Sequence, residues 1–221
     1  MKITEIVKSS ILIRDYLKKF EDFPENPIDE NLLPVPPYKA SSDIRLIIIG
    51  QDPTIKDINQ RNKIEFALNL DKPGSLRTYI TTICKKLGVD YINIYGTNLF
   101  KYFYKNPPAG TLQILRNHLL PNLYLLRTEI ENYPKAKIIT LGEPVLKLLV
   151  KDECPSEMTF YWDYNPKTKK SKQDFKFCGK EENHLGKDFF TLPHQPSLVK
   201  EFYSNTLDTY LNYINSHIYQ K

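Results

Sequence analysis

Three side chains able to do chemistry follow three separate apolar runs: Asp52, Asn98 and His194. A carboxylate can orient water or stabilise a developing cation, and an imidazole can donate to a developing anion. An amide presents a donor and an acceptor together, which suits a base edge. Asp52 comes directly after Leu46-Ile47-Ile48-Ile49-Gly50-Gln51, and Pro53 behind it restricts Asp52 to an extended conformation. The carboxylate is therefore presented by a stiffened turn. Each residue also has an ordinary explanation. Gly, Asp and Pro are turn residues, Asn98 can cap a turn, and His194 beside Pro193 can be a structural hydrogen-bonder. Their position in the fold decides between these readings.

That position follows from the elements that carry them. Residues 44–50 are apolar on both faces, as in a buried strand of a parallel sheet. Further strands are expected at 91–95, 137–141 and 188–192. Helical spacing appears at 2–20, with Ile3, Ile6, Val7, Ile13, Leu17 and Phe20 on one face. A second helix is expected from Ser75 as N-cap to Leu87, stopped by Gly88. Others are expected over 112–133, with a bend at Pro121, from Glu143 onward, and over 199–219. Alternating strands and helices give a parallel-rich sheet covered on both faces. All three polar residues then lie at the carboxyl ends of strands, the edge where open α/β sheets bind ligands.

Two stretches stand outside this alternation. Residues 21–40 contain five prolines and read as an extended surface segment. Residues 152–187 read as a β-hairpin insertion, its strands at Met158–Tyr164 and Phe175–Cys178, its tip carrying Lys167, Lys169, Lys170 and Lys172. The lysine run is either a solvated, mobile loop or a finger that contacts phosphates. No boundary for a second domain is visible, so residues 1–221 are expected to form one domain.

Composition narrows the functions. The chain has 221 residues and a net charge of +5, a mild basic excess that fits nucleic-acid binding. Cys84, Cys154 and Cys178 are sparse and odd in number, which fits a reducing cytoplasm and cannot supply four ligands to an iron–sulfur cluster. His118, His184, His194 and His217 lack zinc-type spacing, so no metal is expected. No apolar run approaches the roughly 18 residues a membrane helix needs.

Several of these stretches together resemble the uracil-DNA glycosylases, nearest the family-1 type. Gly50-Gln51-Asp52-Pro53 is similar to the start of the family's water-activating motif. His194-Gln195-Pro196-Ser197-Leu198 resembles its HPSPL segment, with leucine four residues after histidine. Phe66 and Pro73-Gly74-Ser75-Leu76 resemble the stacking phenylalanine and the PPSL turn, and Asn98 the uracil-reading asparagine. The resemblance implies a three-layer α/β/α sandwich around a four-stranded, mainly parallel sheet. It further implies a cofactor-free, monomeric enzyme that flips uracil out of DNA and cuts its N-glycosidic bond.

By that resemblance, Asp52 positions water and stabilises the sugar cation, and His194 donates to O2 of the departing base. Asn98, Gln51, Thr54 and Phe66 surround the base, with Phe66 stacked on its face. Leu198 wedges into the duplex. Ser75, Ser197, Pro107 and Pro108 grip phosphates. The bland alternatives are core packing for Phe66 and Leu198 and helix capping for the two serines. The chain departs from family 1 at Thr54 and Ile55, where tyrosine and histidine are usual, and in the His-Gln-Pro order. A missing tyrosine leaves the space beside C5 of the base unwalled unless Tyr95, Phe100 or Tyr102 fills it. Three functions remain open: excision of uracil, excision of a 5-substituted uracil or mismatched base, and a non-catalytic module binding DNA or protein.

Overall fold

The computed structural model of the protein describes residues 1–20, 26–165, 167–195 and 201–218. In chain order its strands are β1 (Tyr38–Lys39), β2 (Leu46–Gly50), β3 (Ile94–Asn98), β4 (Lys137–Leu141), β5 (Tyr164–Asn165), β6 (Lys170–Ser171) and β7 (Phe190–Leu192). Its helices are α1 (Ile3–Phe20), α2 (Ile58–Arg61), α3 (Ser75–Lys86), α4 (Leu112–Ile130), α5 (Glu143–Leu149), α6 (Met158–Tyr161) and α7 (Glu201–Ile218).

The main sheet has five strands in the order β1-β3-β2-β4-β7. The last four are mutually parallel, and β1 is antiparallel on β3. Strand β2 is buried along its whole length, which explains its unbroken apolar character. From β2 the chain crosses through α3 to β3, then back over β2 through α4 to β4. Two right-handed crossovers in opposite directions put their helices on opposite faces. Accordingly α1 and α5 pack with α4, and α7 packs with α3. The result is a three-layer sandwich whose strand order reverses at β2, the place where such sheets open a crevice.

Several boundaries differ from the sequence-based expectation. The sheet has a fifth strand, β1, drawn from the proline-rich segment. An edge position suits it, because a proline there removes no ladder hydrogen bond. The rest of that segment is not simply superficial: Asn26, Ile28, Asp29 and Val35 are buried. Its backbone is bonded to the 101–105 stretch through Asp29 N–H to Phe103 O (2.8 Å) and Val35 N–H to Lys101 O (2.7 Å). The second core strand begins at Ile94, not at residue 91, because Asp90 caps a 3-10 turn over Tyr91–Asn93 by accepting from Ile92 N–H. Asn98 is therefore the last residue of β3 and not a residue beyond it. Helix α3 takes Gly74 as its N-cap, which leaves Ser75 as the first helical residue with its side chain exposed.

The insertion is a hairpin, but a smaller one than expected. Met158–Tyr161 is a helical turn, since Met158, Tyr161 and Trp162 are buried at a spacing of three and four. The paired strands are only β5 and β6, in register Tyr164↔Ser171 and Asn165↔Lys170. Phe175–Cys178 joins no strand; Cys178 alone bridges to Phe189.

Candidate active site

The parallel register brings the strand ends to one edge. Gly50 lies opposite Asn98, Ile49 opposite Thr140, and Leu141 opposite Leu192. Past these ends the turns remain stitched together. Leu99 and Phe100 donate N–H to the carbonyls of Gly50 and Gln51 (2.8 and 2.9 Å), and Gly142 donates to Leu192 O (2.8 Å). Between the turns opens a cleft of about 500 Å³. Gly50, Gln51, Asp52 and Thr54 form one side, Pro107 and Pro108 a second, and Gly142, Pro193 and His194 a third. Asp52 and His194, expected from sequence to converge, do share this cleft.

Asp52 Oδ1 accepts from the Thr54 N–H (2.8 Å), closing a tight turn over Pro53, and Oδ2 accepts from Gln51 Nε2 (2.7 Å). Desolvation by the surrounding protein pushes the carboxyl up to about 6, against the opposing pull of Thr54, Gln51 and the Arg61 charge. The group sits where a charge is costly and therefore interacts strongly with any charge that develops beside it. Thr54 is held in turn by Tyr104, whose N–H donates to Thr54 Oγ1 (2.9 Å).

Asn98 lies behind the cleft wall and is 1 % exposed. Neither its Oδ1 nor its Nδ2 has a hydrogen-bond partner among the described residues. A buried polar group without a partner costs roughly 1–3 kcal/mol, so an amide left empty on both atoms calls for a reason. Gly50 makes room for it: a Cβ there would come within 2.6 Å of Asn98 Oδ1. The backbone carbonyl of Asn98 accepts from Lys101 Nζ (2.7 Å). Lys101 is in turn paired with Glu129 at 2.6 Å, both side chains being almost fully buried. Tyr95 and Thr97 donate their hydroxyls to the same carboxylate. The strand end that carries Asn98 is thus anchored by a buried ionic network.

His194 stands at the mouth of the cleft, with its Cβ over Gly142, whose φ of +89° is the left-handed turn that only glycine takes freely. Tyr79 from α3 donates to Pro193 O (3.2 Å), and Trp162 Nε1 donates to Thr191 O (3.0 Å), fixing the strand end before the histidine. Although the residue itself is exposed, desolvation by nearby protein atoms holds its imidazole below the ordinary value. The ring is neutral at neutral pH, able to donate from one nitrogen.

Other expected residues fall differently. Pro107 and Pro108 line the cleft. Phe66 does not: it is half-buried and meets Tyr38 edge to face, ring centroids 6.3 Å apart. Leu68 takes the wall instead. The chain turns through left-handed conformations at Leu68 (φ 61°) and Asn69 (φ 51°), and this turn aims Leu68 inward over Gly50. Tyr95, Phe100 and Tyr102 are in the core and line no part of the cleft, so none of them walls it. Ser197 and Leu198 lie outside the described residues. Among the described residues, no group of three or more His, Cys, Asp or Glu is placed to hold a metal ion.

A family model for the uracil DNA glycosylase superfamily matches residues 36–215. The chain belongs to that superfamily. Among curated proteins, none matches it. The superfamily's members are DNA glycosylases, and the matched span takes in the whole cleft and every strand of the main sheet.

Sequence reasoning misses three contributors. Arg61 is 2 % exposed and donates to the carbonyls of Ile55 (2.8 Å), Tyr104 and Lys105 (both 3.0 Å), clamping the two loops that flank Asp52. Nothing local marks it among the charged residues of 56–65. Lys101 and Glu129 lie 28 positions apart, and only the crossover through α4 brings them together.

Proposed function

We propose that the chain is a uracil-DNA glycosylase that takes a flipped uracil into this cleft and hydrolyses its N-glycosidic bond. The observation that carries the reading is Asn98, a buried amide with donor and acceptor both empty, beside the cleft that holds Asp52 and His194. Uracil presents O4 as acceptor and N3–H as donor along one edge, and a single amide satisfies both. The unpaired groups of Asn98 reward a base that passes the cleft wall at Gly50 and Leu68 to reach them.

The remaining groups divide the reaction between the two sides of the scissile bond. As the bond from C1′ to N1 breaks, its electron pair stays with uracil and positive charge develops on the sugar. Asp52, ionised, faces that charge and holds the attacking water, whose proton it accepts as oxygen bonds to C1′. His194 donates a hydrogen bond to O2 of the departing anion. Leu68 gives the base an apolar face in the place expected for Phe66, and Gln51 keeps Asp52 oriented. Pro107 and Pro108 form the rim against which the DNA strand lies.

A second reading, a glycosylase that also accepts 5-substituted uracils, is favoured by Thr54. Its hydroxyl is tied to the Tyr104 backbone, and among the described residues the benzenoid ring lining the cleft is that of Tyr203 from α7. The experiment for both is cleavage of a labelled oligonucleotide after alkali, with uracil, 5-hydroxymethyluracil or thymine at one position. Release of uracil supports the first reading, and release of both uracils the second. Binding without release of any base points instead to a non-catalytic module.

A further inference from the structure

The hairpin β5–β6 is braced against the wall of the cleft. Met158, at the start of α6 within the insertion, and Tyr203 of α7 both line the cleft. Trp162 connects them to the hairpin: its ring meets Tyr203 edge to face at 5.3 Å and stacks on Tyr210 at 4.5 Å. Ser171, at the end of the hairpin, donates its hydroxyl to Trp162 O (2.9 Å), and Tyr164 is close enough to Tyr203 to act on its ionisation. Asn165 Oδ1 accepts from Lys167 N–H (2.9 Å) and its carbonyl from Lys169 N–H (2.8 Å). The base of the hairpin is thus joined to the cleft wall through Trp162.

Its tip carries charge of one sign, with Asp163 and Asp174 at its base. Lys167, Lys169, Lys170 and Lys172 are all exposed, and among the described residues none of them forms an ion pair. Surface lysines elsewhere are spread out, some paired with a carboxylate, such as Lys86 and Lys147, and some unpaired among the described residues, such as Lys56 and Lys135; only here do four fall within six residues. Four ammonium groups on a six-residue span with no carboxylate among them repel one another, and an anion that joins them relieves the repulsion. The anion that fits a row of point charges beside a base-sized cleft is a run of phosphates.

We propose that this lysine hairpin is a clamp for the DNA backbone next to the nucleotide in the cleft, touching phosphates beyond the immediate neighbours of the base. The inference rests on reading the cleft as a DNA glycosylase site. It concerns affinity and not chemistry, since no lysine of the hairpin reaches the cleft lining.

The test compares wild type with a variant carrying Lys167→Gln, Lys169→Gln, Lys170→Gln and Lys172→Gln. Binding to a uracil-free duplex of about 25 base pairs, longer than the footprint of a single module, is measured across salt concentrations. Excision is measured separately on a long uracil-containing duplex and on a trinucleotide with uracil at its centre. Each phosphate that is no longer neutralised lowers the slope of log affinity against log salt by about 0.9, so the variant should be shallower by about 2–3. Its excision from the long duplex should fall at least tenfold at physiological salt, while the trinucleotide is processed at the wild-type rate. Equal slopes for the two proteins, or a wild type that binds no duplex, would overturn the clamp. A hairpin-dependent slope in a wild type that releases no base would leave the clamp standing and refute the excision reading.

Discussion

Gly50 and Asn98 face each other across the parallel β2–β3 ladder, and the amide of Asn98 occupies the space that any larger residue at position 50 would need. The glycine of the Gly-Gln-Asp-Pro stretch is thus tied to the placement of the Asn98 amide, the proposed reader of the base, and not only to a turn. Gly50→Ala puts a methyl within 2.6 Å of Asn98 Oδ1 and 2.5 Å of Leu68 Cδ2. Overpacking of this kind costs about 1–3 kcal/mol, which a core of this size withstands. The variant should fold, lose modest stability in urea titration, and excise uracil at least a hundredfold more slowly. Wild-type excision by Gly50→Ala would separate Asn98 from the chemistry.

The pH dependence follows from Asp52. Its carboxyl is pushed up to about 6 by burial, so it is ionised, and competent, only above that value. The value of kcat/KM should rise through about pH 6 as the carboxyl ionises and then level. Stability runs the other way. The folded state holds the Asp52 proton more tightly than the unfolded chain, whose aspartates titrate near about 3.9. The contribution is fully present below about pH 4 and is lost as pH rises through about 6. In Asp52→Asn that loss should vanish from denaturation curves taken across this range. An unchanged pH profile of stability would show that Asp52 titrates normally.

The buried pair Lys101–Glu129 should behave as a unit. Removing one charge strands the other in the core, which costs about 3–5 kcal/mol. Lys101→Met should therefore destabilise the protein by that amount. Lys101→Met combined with Glu129→Leu should recover part of the loss, while leaving the hydroxyls of Tyr95 and Thr97 without their shared acceptor. Chemical denaturation of the two single variants and the double variant checks this. Strict additivity would mean that the pair is not coupled.

Thr54→Tyr restores the ring that the sequence lacks beside the base. In wild type, 5-hydroxymethyluracil should be released within about tenfold of uracil, a ratio typical of a pocket that discriminates by one small group. In Thr54→Tyr the modified base should be rejected and uracil retained. Strict rejection by the wild type would place the wall elsewhere, with Leu68 the first residue to substitute.

The sheet is legible in the sequence because β2 is a short, unbroken apolar run bounded by polar residues and β4 a β-branched-rich run that ends at Gly142. The edge strand β1 is not, since two residues among prolines carry no periodic signal. Met158–Tyr161 reads as strand and folds as helix because four residues are too few to separate a period of 3.6 from a period of 2. In the site, Asp52, Asn98 and His194 are legible from their places at strand ends. Leu68 is not: which of Phe66 and Leu68 points inward depends on a left-handed turn that no glycine announces. Arg61 and the Lys101–Glu129 pair depend on distant segments meeting in the fold, which spacing along the chain does not encode.

The most direct measurement is release of uracil from a single-uracil oligonucleotide by the wild-type protein and by Asp52→Asn, with DNA binding followed in parallel. Wild type should leave an alkali-labile abasic site, and Asp52→Asn should bind DNA as tightly but turn over at least a thousandfold more slowly, because the charge facing the sugar cation is gone. Wild-type turnover by Asp52→Asn would contradict this reading of the cleft, as would a wild-type protein that binds the oligonucleotide and leaves the base in place.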